Sequence, residues 1–183
     1  LRHLLIYIDE IEGVWFAAAI SEGRVQASSF SHSSDRDALR RVMRSLPSKP
    51  QGVVRSHDSH GLLRALHGIY SARPVSIKLQ LDLSWLSPLF QKIYQVVCKI
   101  PRGYVATYKG VAKAAGSTTY ARAVGYAMAS NPMPLLIPCH RVVRSDLSPG
   151  HYEMGDALKR QLLLREGVKL RGQRISSASV CRL

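Results

Sequence analysis

Cysteine is scarce in this chain: Cys98, Cys139 and Cys181 are the only three among 183 residues. Three scattered thiols supply neither a disulfide framework nor a thiolate zinc site. A reducing, cytoplasmic or otherwise intracellular setting is therefore expected, with no metal and no cofactor. Long apolar runs are missing too. The longest, such as Val14–Ile20, fall far short of the ~20 residues of a membrane-spanning helix. No Lys/Arg-rich amphipathic helix or lipidation motif points to a membrane surface. The start, Leu1 to Ile8 followed by Asp9, Glu10 and Glu12, has no basic region or small-residue cleavage site, so a signal peptide is not expected. Acidic residues are the third shortage. Twelve Asp and Glu stand against 26 Lys and Arg, a net charge of +14. The deficit is uneven: residues 1–83 hold 11 basic and 8 acidic side chains, net +3, and residues 84–183 hold 15 and 4, net +11. That asymmetry implies a polyanionic partner for the second half.

What is present reads as a globular α+β protein, 46% apolar and 21% charged, long enough for one large or two small domains. His3–Ile8, Val14–Ile20 and Arg24–Phe30 read as strands separated by Glu12-Gly13 and Glu22-Gly23 turns, an antiparallel meander. Asp35–Leu46 has helical spacing, with Ser34 placed to cap it, and Pro47–Pro50 breaks it. A second helix is expected over Ser59–Ala72 and a last strand over Val75–Leu83, with a joint at Ser84–Ser87. From Pro88 the pattern changes to short helices: Leu89–Ile100, Thr107–Ala115 and, after a Gly116-Ser117 turn, Thr118–Ser130. Helix, tight turn and helix in a basic segment is the outline of a helix-turn-helix. The domains expected are residues 1–84 and residues 85–183.

On a helix over Thr118–Ser130, Tyr120, Ala121, Val124, Ala127 and Met128 share one side, the expected core face. Thr118, Arg122, Gly125, Tyr126 and Ala129 share the other, which carries one long cation, one large aromatic and otherwise small side chains. A helix gains nothing from exposed Gly, so a bare face implies close approach by something. Packing against the rest of the chain and docking on DNA both fit, and the basic charge of this half favours DNA.

Three prolines between 132 and 138 stiffen the approach to Cys139-His140. A thiol beside a base or cation is a candidate nucleophile, because the thiolate is the reactive form. The alternative is a buried small hydrophobe beside a surface histidine. In extended chain, successive side chains point to opposite faces, so a turn or a bridging water is needed for His140 to serve the sulfur. Leu158, Leu162 and Glu166 fall on one stripe of the last expected helix, Asp156–Arg165, just before Gly167. A carboxylate at the negative end of a helix needs a cationic or donor partner. Glu166–His140–water–Cys139 is thus a sensible proton relay, against a solvent-exposed end-of-helix Glu.

Pro-Cys-His-Arg-Val at 138–142, with Arg-Ala-Val-Gly at 122–125 and Asn-Pro at 131–132, resembles the O6-alkylguanine-DNA alkyltransferases, the methylated-DNA–protein-cysteine methyltransferases. The resemblance covers about Pro88 to Gly167. Val105–Tyr108 and Leu162–Gly167 fall where that family has its active-site tyrosine and buried glutamate. The N-terminal half is similar in outline only, which implies a ribonuclease-H-like antiparallel sheet with helices, followed by a winged helix-turn-helix domain. By the same resemblance Cys139 accepts the alkyl group from O6 of a flipped-out guanine, or from O4 of a thymine. His140 deprotonates it through water, Glu166 orients His140 and Asn131 braces the segment. Tyr108 protonates or polarises the leaving guanine, with Lys159 and the backbone amides near Glu153 stabilising the developing anion. Pro134, Val142 and Tyr152 line the pocket. Arg122 replaces the extruded base, with Ala121, Ala123, Gly125, Tyr126, Thr118 and Thr107 against the duplex. The implied partner is double-stranded DNA containing alkylated guanine, met by a monomer that acts once.

Three departures stand out. Tyr126 occupies a position where the family usually has a small residue, and Glu153-Met154 replaces the usual Ser or Arg with a small residue. The zinc cysteines of some relatives' N-terminal domains are missing, and His57, His60 and His67 are not expected to replace them. The rivals are weaker. A lesion-binding protein that does not repair lacks the thiol in this family, a helix-turn-helix regulator needs base contacts that the bare helix offers poorly, and a Cys-His hydrolase needs an oxyanion site with no motif here.

Overall fold

The computed structural model describes residues 4–55, 61–77 and 79–183. Its chain packs into two units, one running to Trp85 and including Pro132–Leu136, the other comprising Leu86–Asn131 and Ile137–Leu183.

The first unit opens with β1 (Leu4–Ile11), β2 (Val14–Ser21) and β3 (Arg24–Ser31), paired antiparallel. Ile11 faces Val14 and Ser21 faces Arg24, so each hairpin turns on two residues. Glu12 and Gly13 lie at φ 50 and 77, and Glu22 and Gly23 at φ 50 and 70, the double-positive geometry that matches strand twist. Helix α1 (Asp35–Ser45) follows, its first turn capped by the Ser34 hydroxyl accepting from the Asp37 N–H. Next comes β4 (Gly52–Arg55), parallel to β1, giving the order β3-β2-β1-β4. Helix α2 (Leu62–Tyr70) completes the unit.

Strand alternation divides the core. Ile6, Ile8, Ala17, Ala19 and Ala27 pack with Ala38 and Val42 of α1. Phe16 and Phe30, on the opposite face, meet the rings of Tyr70 and His67 from α2. The Pro132–Leu136 segment adheres to this unit through Ser28, whose N–H donates to the Pro132 carbonyl and whose hydroxyl donates to the Pro134 carbonyl.

Two expectations fail here. The sheet is mixed rather than antiparallel, because β4 joins it by a crossover through α1, the connection a parallel neighbour requires. Among the described residues of Val75–Leu83 there is no strand: Leu81 makes a bridge to Val25, and Val75 and Ile77 of its alternating pattern stay exposed. His57 and His60, the expected start of the second helix at Ser59, and His3 at the expected start of the first strand, lie outside the described residues.

In the second unit, α3 (Pro88–Val97) buries Ile93, Tyr94, Val96 and Val97. Then come β5 (Ala106–Thr107), α4 (Tyr108–Ala114), a 3-10 turn at Thr118–Tyr120 and α5 (Ala121–Ala129). The α-helix therefore begins three residues later than the periodicity predicts. Tyr120 and Ala121 are only half-buried, and the core face reduces to Val124, Ala127 and Met128. β6 (Val142–Val143) pairs with β5, α6 (Asp156–Arg165) follows, and β7 (Leu170–Arg171) and β8 (Arg174–Ile175) form a small ribbon. Val105, Val143, Leu163, Val168 and Ile175 make a core beneath it. Among the described residues no helix is long and apolar enough to cross a membrane.

Candidate active site

Pro138 sits at φ −78, ψ 62, and the Cys139 N–H donates to the Ile137 carbonyl at 2.7 Å. This is a three-residue turn centred on proline. It throws Cys139–Arg141 into a single 3-10 turn, so the extended conformation considered for Cys139-His140 is not adopted. The two-residue β5·β6 pairing then ties Ala106-Thr107, and with them Tyr108 at the start of α4, to Val142-Val143 just after the cysteine.

Cys139 is buried in the wall of a pocket of about 150 Å³, lined also by Tyr108, Gly125, Met128, Ala129, His151, Tyr152, Glu153 and Lys159. Burial pushes its thiol pKa up. Hydrogen bonding from Asn131 and Tyr152 and the Lys159 charge work against that rise. The Asn131 amide also donates to the Ile137 carbonyl at 2.9 Å, bracing the turn. Lys159 is fully buried, donates to the Val142 carbonyl at 2.7 Å and lies 6.0 Å from the centre of the Tyr108 ring. Burial lowers its pKa to about 8. Burial raises that of the Tyr108 phenol, so it holds its proton.

His140, next to the cysteine in the chain, and Glu166 are both buried, and His140 Nε2 lies 2.9 Å from Glu166 Oε1. Glu166 occupies the C-cap of α6, and the end is closed by Gly167 at φ 89, whose N–H donates to the Leu164 carbonyl while the Val168 N–H donates to that of Leu163. This closure and the packing of Val168 on Leu163 fix where the carboxylate points. Burial acts to raise the Glu166 pKa, yet the hydrogen bonds from His140 and Arg141 bring it down to about 2. An ionised carboxylate only accepts, so His140 Nε2 carries the proton and Nδ1 keeps its lone pair. That Nδ1 is buried and has no hydrogen-bond partner among the described residues. Burial lowers the His140 pKa, so the ring is neutral at rest.

The remaining expected residues divide. Arg122 and Tyr126 are exposed on α5, with Tyr126 leaning on Phe90 at 6.0 Å between ring centres. Ala123 and Gly125 are half-buried beside them, and Thr118 is exposed in the preceding turn. The Thr107 hydroxyl is engaged in capping α4, accepting from the Gly110 N–H at 3.0 Å. Pro134 packs with the first unit. Among the described residues no cluster of three or more His, Cys, Asp or Glu is placed to hold a metal. Residues the sequence did not assign to the pocket also matter here: Met128 and Ala129, expected on the core and bare faces of α5, and His151 in the pocket wall, and Arg141, whose guanidinium grips Glu166. Arg141 follows His140 directly in the cysteine motif, but nothing in that position says it will meet Glu166.

Comparison with known proteins agrees with this geometry. Residues 88–168 match the family model described as 6-O-methylguanine DNA methyltransferase, DNA binding domain. The chain is 45% identical over 93 residues to a methylated-DNA–protein-cysteine methyltransferase of Methanothermobacter thermautotrophicus, covering 51% of this chain and 52% of that one. It is 41% identical over 118 residues to the protein of the same name from Saccharolobus islandicus, covering 63% of this chain and 76% of the relative. The chain spans about half the length, or less, of several of the curated relatives it matches. The crystal structure of O6-methylguanine-DNA methyltransferase from Pyrococcus kodakaraensis superimposes with a TM-score of 0.69 at 29% identity, over 90% of this chain and 99% of that one. With the cysteine pocket, the mixed α+β architecture and more than two thirds of the Saccharolobus protein covered at that identity, the chain belongs to the 6-O-methylguanine DNA methyltransferase family.

Proposed function

We propose that this protein repairs duplex DNA by moving an alkyl group, typically methyl, from O6 of guanine or O4 of thymine to Cys139, irreversibly. The observation that carries the reading is the buried thiol in a pocket wall, followed by a buried histidine whose Nε2 lies 2.9 Å from the buried Glu166 carboxylate. The Cys139 thiolate attacks the alkyl carbon, the carbon–oxygen bond breaks and a sulfur–carbon bond forms. The thiol proton passes through water to His140 Nδ1, and Glu166 stabilises the imidazolium. Tyr108, a protonated phenol lining the same pocket, delivers a proton to the leaving base. Lys159 holds the Val142 carbonyl and offsets negative charge, while Asn131 keeps the cysteine turn in place. Tyr152 and Glu153 in the pocket wall, and Val142, whose carbonyl holds Lys159, shape the reach of the base.

A stacked base cannot enter such a pocket, so the nucleotide must be flipped, at a cost of a few kcal/mol. Arg122 fills the gap, with α5 in the groove through Ala121, Ala123, Gly125 and Tyr126 and the turn residues Thr118 and Thr107 at the backbone. On this reading residues 85–183 form a winged helix-turn-helix domain, residues 1–84 a ribonuclease-H-like domain, and the protein acts as an intracellular monomer. Intact mass after mixing with an O6-methylguanine oligonucleotide tests the proposal. One methyl on Cys139 supports it, and an unmodified chain refutes it.

A further inference from the structure

We infer that Arg141 is a positioning residue: by clamping Glu166 it keeps His140 neutral, with the lone pair on Nδ1. The inference rests on the Glu166–His140 relay proposed above and adds to it the group that sets the state of the base.

The geometry is a fork. Arg141 Nε donates to Glu166 Oε2 at 2.8 Å and Nη2 donates to Oε1 at 2.7 Å. The third arm, Nη1, donates to the Ile100 carbonyl at 2.7 Å, beyond the end of α3. This two-point grip on a carboxylate is specific to a planar guanidinium, which also cannot lose its charge. Oε1 is shared: it accepts from Arg141 Nη2 and also from His140 Nε2. All three side chains are largely withdrawn from water, 13% exposed for Arg141, 3% for Glu166 and 1% for His140. Interactions among them are therefore weakly screened.

Charge counting gives the consequence. Arginine and glutamate together are neutral, and a neutral imidazole leaves the buried group neutral. Protonating His140 at rest would place a net positive charge there. The charged and titratable groups around the ring are Glu166 at the end of α6, Arg141 on the same turn, Lys159 on α6 and Cys139 before it. The two cations oppose protonation and the carboxylate favours it. Without Arg141, the carboxylate would turn its whole charge on His140 and hold it as an imidazolium. An imidazolium has no lone pair at Nδ1 and cannot take the thiol proton. Arg141 thus does more than neutralise a buried acid: it reserves the ring for the moment of transfer.

Single-turnover methyl transfer measured against pH, for the native protein, Arg141→Met, Arg141→Lys and Glu166→Gln, tests this, together with the imidazole ¹⁵N signals of His140. Removing a like charge this close moves a pKa by about one unit or more. The acid limb of the Arg141→Met profile is therefore expected about one pH unit or more above the native limb. Arg141→Lys, which keeps the charge without the fork, should fall between. Glu166→Gln should move the limb the other way, to lower pH, and lower the plateau. The native ¹⁵N spectrum should show His140 protonated on Nε2 alone at neutral pH. An Arg141→Met profile that is scaled down with its limb unmoved, while Glu166→Gln still shifts, overturns the role of Arg141 and leaves the relay standing. Superimposable Glu166→Gln and native profiles would instead remove the relay itself. If Arg141→Met does not fold, Arg141→Lys and the native spectrum decide, and a native His140 protonated on Nδ1 overturns the inference.

Discussion

Replacing Glu166 with glutamine preserves volume and removes one buried charge, and its effect on stability can be worked from the structure. In the native protein burial acts to raise the Glu166 pKa, yet hydrogen bonds from His140 and Arg141 hold it at about 2, against an ordinary value of 4.5. A difference of about 2.5 units, at about 1.36 kcal/mol each, corresponds to roughly 3 kcal/mol. The side chain is 3% exposed, so solvent screening removes little of this. A carboxyl whose pKa is depressed on folding stabilises the native state above its unfolded value. That stability is lost as pH falls from about 4.5 toward 2. His140, lowered by burial from 6.5, sheds stability in the same direction below that pH. The glutamine variant has no carboxyl to titrate and leaves Arg141 as a buried cation without its counterion, a change that typically costs about 3–5 kcal/mol. For a chain of this size 1 kcal/mol is about 2–4 °C, so the variant should melt roughly 6–20 °C lower at pH 7. The gap should then close by about 3 kcal/mol between pH 5 and pH 2, because the native protein gives up what the variant never had. Melting temperatures and urea midpoints across pH 2 to 8 read this directly. Parallel curves separated by a constant gap would refute the assignment of that stability to the Glu166 cluster.

Other consequences follow from the same reading. Excess methylated duplex should add a single methyl, on Cys139, and leave Cys98 and Cys181 untouched, while Cys139→Ala abolishes transfer and retains DNA affinity; peptide mapping by mass spectrometry checks both. Arg122→Ala should slow repair in duplex at least several-fold more than in single strands, where no base needs replacing, and equal losses would remove the residue from that role. DNA affinity should fall linearly on a logarithmic salt scale as counterions are released, with little dependence on sequence; a flat titration would sever the link between the basic C-terminal half and DNA. Tyr108→Phe should slow single-turnover transfer by about ten- to a thousandfold, within the span of general acid catalysis, with duplex affinity unchanged.

The hairpins were legible because their information is local. Glu12-Gly13 and Glu22-Gly23 between apolar runs specify two-residue turns, and the structure has them there. Ser34 was legible as a cap for the same reason. β4 was not. It has four residues, of which Val53 and Val54 are the apolar pair, and its place beside β1 is decided by the crossover through α1. The reverse holds at Val75–Leu83, where alternation is present and, among the described residues, pairing with β3 goes no further than the bridge of Leu81 to Val25. A pattern of period two states what a strand would bury; it does not supply the partner. In α5 the difference is one of onset. Ser117 caps a 3-10 turn by accepting from the Thr119 N–H, so the helical phase starts at Ala121 and only three of the five expected core residues are buried.

The site shows the same division in energetic terms. Glu166 could be found in the sequence because it is out of place: a carboxylate on an apolar stripe at the negative end of a helix, unfavourable by about 0.3–1 kcal/mol. Such a residue persists only when something stronger holds it, and hydrogen bonds to charged groups are worth about 1.5–3 kcal/mol each. Glu166 has three from Arg141 and His140, enough to outweigh both the dipole and the loss of hydration. Arg141 could not be found this way. One more arginine in a chain with 26 basic residues is no anomaly, and nothing in its spacing says that its three arms will meet Glu166 and the Ile100 carbonyl. The acid was betrayed by the cost of its position. The base that answers it was visible only once the 3-10 turn at Cys139 had brought positions 141 and 166 together.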